Sequence, residues 1–290
     1  MEKIIYPKEY FNISDTLNCG QTFRFFPFNE GYFIISKNYA CYAVYENENT
    51  VIYTDFPEYF NNYFDLCTDY SVIVNKAKSF NLEYLSRAAE YGKGIRILKQ
   101  DTFEIIISFI ISQNNNISRI KKIIDKLCFS LGEKNMFMGK TYYSFPTLNA
   151  LLEKDENYFK ELGFGYRAAY MESTLKALSM TDIEKLKTLN TSQLFKNLLT
   201  FKGIGGKVAN CILLFGFNRF DSFPVDTWIY KLYREDFCGE VCNRDKITKY
   251  FTDLFKEYSG YFQQYLFYYK REKQGGWLKY GLHNNRWKQM

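Results

Sequence analysis

The stretch FKGIGGKVANCILLFG, residues 201–216, sets three glycines within four positions ahead of a run with helical periodicity. Upstream, TSQLFKNLLTF reads as another helix, so KGIGG is the tight turn of a helix–hairpin–helix. Glycine permits positive φ and close backbone approach. Backbone N–H groups exposed beside a helix start can receive a phosphate, which marks Gly203 and Gly205 as candidate phosphate-gripping positions. A plain connection between two helices explains the turn equally well. Lys207 fits that reading poorly, because a cation at a helix start loses about 0.3–1 kcal/mol against the macrodipole. The same position, if partly apolar, favours the free amine that a nucleophilic lysine requires. Cys211 lies four residues on, hence on the same face. It fits an inert buried thiol as well as a site residue. Val208, Ile212 and Phe215 form a separate stripe facing the core.

The next run, FDSFPVDTWIYKLYRE (220–235), supplies a carboxylate. Pro224 breaks the preceding element, and Asp226 stands where the N-cap of a helix belongs, a role worth about 1 kcal/mol by itself. Asp226 follows Lys207 by 226 − 207 = 19 residues, enough for one helix and a return loop. The two helix starts can therefore lie side by side. A lysine nucleophile beside a carboxylate suits attack on an electrophilic sugar carbon where positive charge develops.

Outward from this pair, the chain divides by pattern. QTFRFF, GYFIIS, YACYAVY and TVIYT, within residues 21–54, are short, aromatic and β-branched, and turn-forming FNEG and ENEN separate them. Short connections favour antiparallel pairing. From about residue 57 the pattern becomes helical. Asp101 or Thr102 caps a helix with Phe103, Ile106, Ile107, Ile110 and Ile111 on one stripe, and ISRIKKIIDKLCFSLG follows, stopped by Gly132. Further helices are predicted over 148–161, 166–179, 182–189, 191–200, 207–216, 227–235, 244–258 and 260–272. The fold class is α+β: an N-terminal antiparallel β domain with flanking helices over residues 1–99, and a larger all-α region over 100–290.

The totals agree with a folded chain. With 290 residues, 47% hydrophobic and 24% charged, it can bury a large core, and a net charge of +6 leans mildly toward anionic partners. Seven irregularly spaced cysteines and a lone histidine, His283, leave little for a Cys/His zinc site and suggest reduced thiols. The N-terminal MEKIIYPKEYFNISD lacks the apolar core of a signal peptide, and no run approaches a membrane span. A soluble, cytoplasmic monomer without a membrane partner is expected.

L-x-x-x-G-I-G-x-K-V-A followed by P-V-D resembles the helix–hairpin–helix glycosylases of base-excision DNA repair, and within them the 8-oxoguanine DNA glycosylase/AP lyase family. The resemblance runs along nearly the whole chain: NCGQTFRF (18–25), GIRILKQD (94–101), SFIISQNNNISRI (108–120), LGFGYRAAY (162–170) and GYFQQYLF (260–267) match in order. It implies double-stranded DNA carrying 8-oxoguanine as partner, excision by lysine Schiff-base chemistry, strand cleavage by β-elimination, and no metal or organic cofactor. Only Cys238 and Cys242 follow the PVD segment, short of the four cysteines of the superfamily's iron–sulfur branch.

Carried onto matching positions, the resemblance implies that Lys207 attacks the sugar C1′ and that Asp226 supports the transition state and orients the lysine. The damaged nucleotide must be flipped out of the stack. Phe267 and Cys211 match the residues that sandwich the flipped base, and Gln263 the amide that reads its Watson–Crick edge. Gly20 matches the glycine whose carbonyl accepts the N7 hydrogen of 8-oxoguanine; guanine, which lacks that hydrogen, would leave a buried carbonyl unpaired. Tyr166 matches the wedge inserted into the stack, and Asn114, Arg119 and Arg167 match groups that fill the gap and hydrogen-bond the estranged cytosine. Lys202 replaces a proline common in the family, and Trp228 replaces a histidine near a phosphate. A glycosylase for another damaged base, or a helix–hairpin–helix protein that only grips DNA, are the alternatives. Gly20, Gln263 and Phe267 argue against the first, and the pairing of Lys207 with Asp226 against the second.

Overall fold

The computed structural model describes residues 1–274. The first element is β1 (Glu2–Pro7), followed by α1 (Ile13–Asn18). Then come β2 (Phe25–Phe28), β3 (Gly31–Ser36), β4 (Tyr39–Glu46) and β5 (Asn49–Thr54). The sheet order is β1-β5-β4-β3-β2, antiparallel throughout. Two-residue turns join β2 to β3, β3 to β4 and β4 to β5, and Asn29, Lys37 and Asn47 take the positive φ such turns require. Strand β1, which the sequence pattern did not announce, closes the β5 edge.

Helices α2 (Pro57–Tyr63), α3 (Tyr70–Ser79) and α4 (Glu83–Tyr91) lead to α5 (Thr102–Ser112) and α6 (Ile117–Leu131). Asp101 caps α5 by accepting from Glu104 N at 2.9 Å. Helix α5 is buried on every side rather than along one stripe, Ile105 and Phe109 included, because helices surround it. Next come two strands that were not expected, β6 (Lys134–Phe137) and β7 (Lys140–Tyr143), turning at Met138 and Gly139 with positive φ. Phe137 and Tyr142 of this hairpin pack on Phe33 of the five-stranded sheet.

The helix predicted over 148–161 is two, α7 (Leu148–Leu152) and α8 (Glu156–Glu161), because Asp155 caps a fresh start. Helices α9 (Arg167–Ser179), α10 (Ile183–Thr188), α11 (Thr191–Leu198), α12 (Gly206–Gly216) and α13 (Thr227–Glu235) match expectation to within a residue or two. Helix α14 (Arg244–Phe255) stops short of 258 in a 3-10 turn, and α15 (Ser259–Lys273) is the last described helix.

Packing cuts across residue 99, where the sequence suggested a division. One apolar core joins α5 to α12, and a second joins α3 and α4 to α13, α14 and α15. A third lies between the sheet and α1 and α2. Arg24 crosses from sheet to helices: its Nη1 donates to Glu104 on α5 at 3.1 Å and its Nη2 to the Tyr143 carbonyl at 2.6 Å. No helix among the described residues is long and apolar enough to cross a membrane.

Candidate active site

The hairpin forms as the glycines demand. Gly203 has φ +88, and a Cβ there would lie 2.5 Å from Cγ of Tyr170, so the turn sits directly on α9. Gly205, the N-cap of α12, has φ −94, and no atom stands within 4 Å of where its Cβ would go. One glycine is fixed by the fold, while the other leaves the backbone open to an incoming group. Helix α12 is locked to α5 by Thr102 Oγ1, which donates to the Gly216 carbonyl at 2.7 Å, and by Phe109 stacked on Phe215 at 5.6 Å.

Lys207, in the first turn of α12, is half-buried, and its Nζ lies 5.5 Å from the ring centroid of Phe109. The ring is a feature that sequence reading missed. Asp226 caps α13, its Oδ1 accepting from Trp228 N at 3.0 Å and Ile229 N at 2.9 Å. Burial pushes the Asp226 carboxyl above its ordinary value, while the Ile229 N–H and the charge of Lys207 pull it back. The two side chains thus feel each other electrostatically without forming an ion pair among the described residues. Cys211 is buried, which raises its thiol pKa, and the Lys207 charge opposes that rise. Trp228 is half-buried, with Lys231 Nζ 5.3 Å from its ring. Lys202 is exposed beside the turn.

Helix α15 carries two more of the expected residues, Gln263 and Phe267. Gln263 is buried, its Nε2 donating to the Pro224 carbonyl at 3.2 Å and its Oε1 accepting from Gln264 Nε2 at 2.8 Å. Each end of that amide keeps one unused hydrogen-bonding capacity, a hydrogen on Nε2 and a lone pair on Oε1. Pro224, two residues before Asp226, therefore ties Gln263 on α15 to the segment that caps α13. Gly20 has φ +85 in the turn after α1, and a Cβ there would lie 3.7 Å from Cε1 of Phe267. Buried Gln21 pins this turn by donating to the Thr16 and Arg96 carbonyls and accepting from Leu98 N.

A second group of the expected residues gathers around the α5–α6 loop. Asn114, at φ +44, donates from Nδ2 to Tyr166 OH at 3.4 Å, and Tyr166 is 51% exposed. Arg119 is exposed on α6 and donates to the Gly163 carbonyl at 3.1 Å. Arg167, the other arginine expected at the estranged cytosine, lies deeper than Arg119. It is buried, and its guanidinium donates to the carbonyls of Gln113, Asn114 and Phe164. It braces the loop carrying Asn114 and lies under the Tyr166 ring at 4.5 Å.

Residues 3–106 match the model of the 8-oxoguanine DNA glycosylase N-terminal domain, and residues 107–257 that of the HhH-GPD superfamily of base excision DNA repair proteins. A solved Clostridium acetobutylicum 8-oxoguanine glycosylase/lyase, bound to dsDNA with cytosine opposite 8-oxoG, superposes with a TM-score of 0.87. It is 36% identical, over 93% of this chain and 98% of that one. The chain belongs to the 8-oxoguanine DNA glycosylase family. A probable N-glycosylase/DNA lyase of Methanothermobacter thermautotrophicus is 29% identical over 82% of this chain and 85% of its own length. The N-glycosylase/DNA lyase OGG1 of Arabidopsis thaliana is 32% identical over 62% of this chain, which spans about half (53%) of that longer relative. The glycosylase-family match takes in the hairpin, Lys207 and Asp226 in the helical part and Gly20 in the N-terminal part.

Proposed function

We propose that the protein flips 8-oxoguanine out of duplex DNA, excises it with Lys207 as nucleophile, and cleaves the strand at the resulting site. The observation that carries this reading is Lys207 in the first turn of α12 with Asp226, the cap of α13, near enough to feel its charge.

The neutral amine of Lys207 forms a bond to C1′ as the bond from C1′ to the base nitrogen breaks. The bonding pair leaves with the base, which takes up a proton. Asp226, whose ionised form is favoured by two backbone N–H groups against the effect of burial, stabilises the positive charge that builds on the sugar. Loss of the lysine proton and ring opening give a Schiff base. Removal of a 2′ proton then expels the 3′ phosphate, and water hydrolyses the imine. Cys211 and Phe267 face the two sides of the base, Gln263 reads its edge with the remaining N–H and lone pair, and the Gly20 carbonyl accepts the N7 hydrogen. Gly203 and Gly205 grip a phosphate through the hairpin backbone, aided by Trp228. Tyr166 wedges the stack. Arg119 and Asn114 face the estranged cytosine, with Arg167 as the brace behind them. The protein acts as a monomer on double-stranded DNA.

Incubation with an 8-oxoguanine·cytosine duplex under borohydride reduces the imine to a stable amine and should give a covalent protein–DNA adduct. Lys207→Gln should abolish both adduct and excision while retaining lesion binding. Opposite adenine, excision should slow about ten- to a hundredfold, since one mismatched hydrogen-bond pattern is worth about 1–3 kcal/mol. An adduct of undiminished yield with Lys207→Gln would remove the nucleophile assignment.

A further inference from the structure

Arg271 sits one helical turn beyond Phe267 on α15, and nothing in the reaction outlined above uses it. Its side chain is nearly buried, 7% exposed. The guanidinium carbon lies 5.2 Å from the Phe267 ring centroid and 5.3 Å from that of Tyr268. Nη2 donates to the Asn18 carbonyl at 2.8 Å, at the last residue of α1, and Nε donates to Glu272 at 3.2 Å. Nη1 lies 3.9 Å from where a Cβ on Gly20 would stand. One turn earlier, Tyr268 OH donates to Asp15 of α1 at 2.7 Å. The turn bearing Gly20 is thus tied to α15 through a cation that also underlies the aromatic ring at the pocket.

From this geometry we infer that Arg271 is a positioning residue for substrate discrimination, holding the Gly20 carbonyl and the Phe267 ring at the separation that fits an oxidised purine. The inference rests on the pocket proposed above. Telling 8-oxoguanine from guanine depends on one hydrogen at N7, so it depends on where the Gly20 carbonyl stands relative to the base plane that Phe267 sets. Gln21 fixes one end of the turn, and Arg271 fixes the end at Asn18. A charge-assisted hydrogen bond to a helix C-terminal carbonyl is directional and strong, and the guanidinium face suits an aromatic ring. Lysine can reach the same carbonyl but offers no planar face.

The test compares wild type, Arg271→Lys and Arg271→Met on three duplexes: 8-oxoguanine·cytosine, guanine·cytosine and a preformed abasic site opposite cytosine. Base excision and abasic-strand cleavage are followed in single turnover. Arg271→Met should slow 8-oxoguanine excision about tenfold or more while abasic cleavage stays within about twofold, because the latter needs Lys207 but no base pocket. Arg271→Lys should recover part of the excision rate. Equal losses on the lesion and the abasic site, or no loss on either, would overturn the role of Arg271. Wild type that cleaves the abasic site but leaves 8-oxoguanine in place would overturn the pocket reading on which the role rests.

Discussion

As the cap of α13, Asp226 needs only to present an acceptor to the N–H groups of Trp228 and Ile229, yet the catalytic role proposed for it asks for a carboxylate in a partly buried place. Burial holds its pKa above the ordinary value, against the pull of the Ile229 N–H and Lys207. A carboxyl raised in the folded state contributes stability below its unfolded pKa and loses that contribution as pH rises through the folded one. At neutral pH the ionised group therefore works against the fold. Asn keeps the capping acceptor and removes the charge, and the two residues are equivalent caps. Asp226→Asn should melt at or above the wild-type Tm at pH 7, with the advantage fading as pH falls through the carboxylate range. Its excision rate should drop ~10²–10⁴-fold, the usual size of such a contribution. A clear fall in Tm at pH 7 would show that the charge stabilises the cap, contrary to the sign argued here.

Among the elements, the hairpin holds two glycines under different constraints. Gly203 combines positive φ with a Tyr170 ring where a Cβ would go, so Gly203→Ala should destabilise the protein by about 1–3 kcal/mol. Gly205 has neither constraint. Gly205→Ala should unfold at the wild-type urea midpoint yet bind duplex DNA more weakly, because the added methyl stands where the phosphate approaches. Equal binding by Gly205→Ala and wild type would show that the hairpin does not grip the backbone. What the sequence made legible was chiefly of this local kind. Caps and glycines announced α5, α12 and α13, and so placed Lys207 and Asp226 at helix starts. Strands β6 and β7 stayed hidden because KNMF and KTYY are too short to show a period, and Phe137 and Tyr142 gain burial only from a sheet a hundred residues away. The burial of Arg167 was not legible, because nothing local reveals that the Gln113 and Asn114 carbonyls converge on it. Arg271 acts on Asn18 across 253 residues, beyond any periodicity, although its place four residues after Phe267 was a signal available to helical reasoning. His283 lies outside the described residues.

At the scale of the molecule, the proposed pocket requires the N-terminal and helical parts to hold together, since Gly20 comes from the first and Lys207 from the second. The buried Arg24–Glu104 pair is one polar link between them, with side chains 3% and 10% exposed. Lys37 N also donates to Glu104 at 3.0 Å, and Arg24 reaches the β6–β7 hairpin, so the pair sits where sheet, α5 and hairpin meet. Such a pair adds little net stability over an apolar substitute, but removing one partner strands a buried charge, at a cost of about 3–5 kcal/mol. All three tryptophans, Trp228, Trp277 and Trp287, lie in the C-terminal part, whereas Arg24 belongs to the N-terminal sheet. If the two parts unfold as one, Arg24→Leu should lower the midpoint reported by tryptophan fluorescence as much as that reported by far-UV circular dichroism. The double variant Arg24→Leu/Glu104→Leu should recover a large share of the loss, because no charge is then left buried alone. A tryptophan midpoint that ignores Arg24→Leu while the circular dichroism signal splits into two transitions would mean that the helical cores stand without the sheet. Gly20 would then be held against Phe267 by the local ties of α1 to α15 alone.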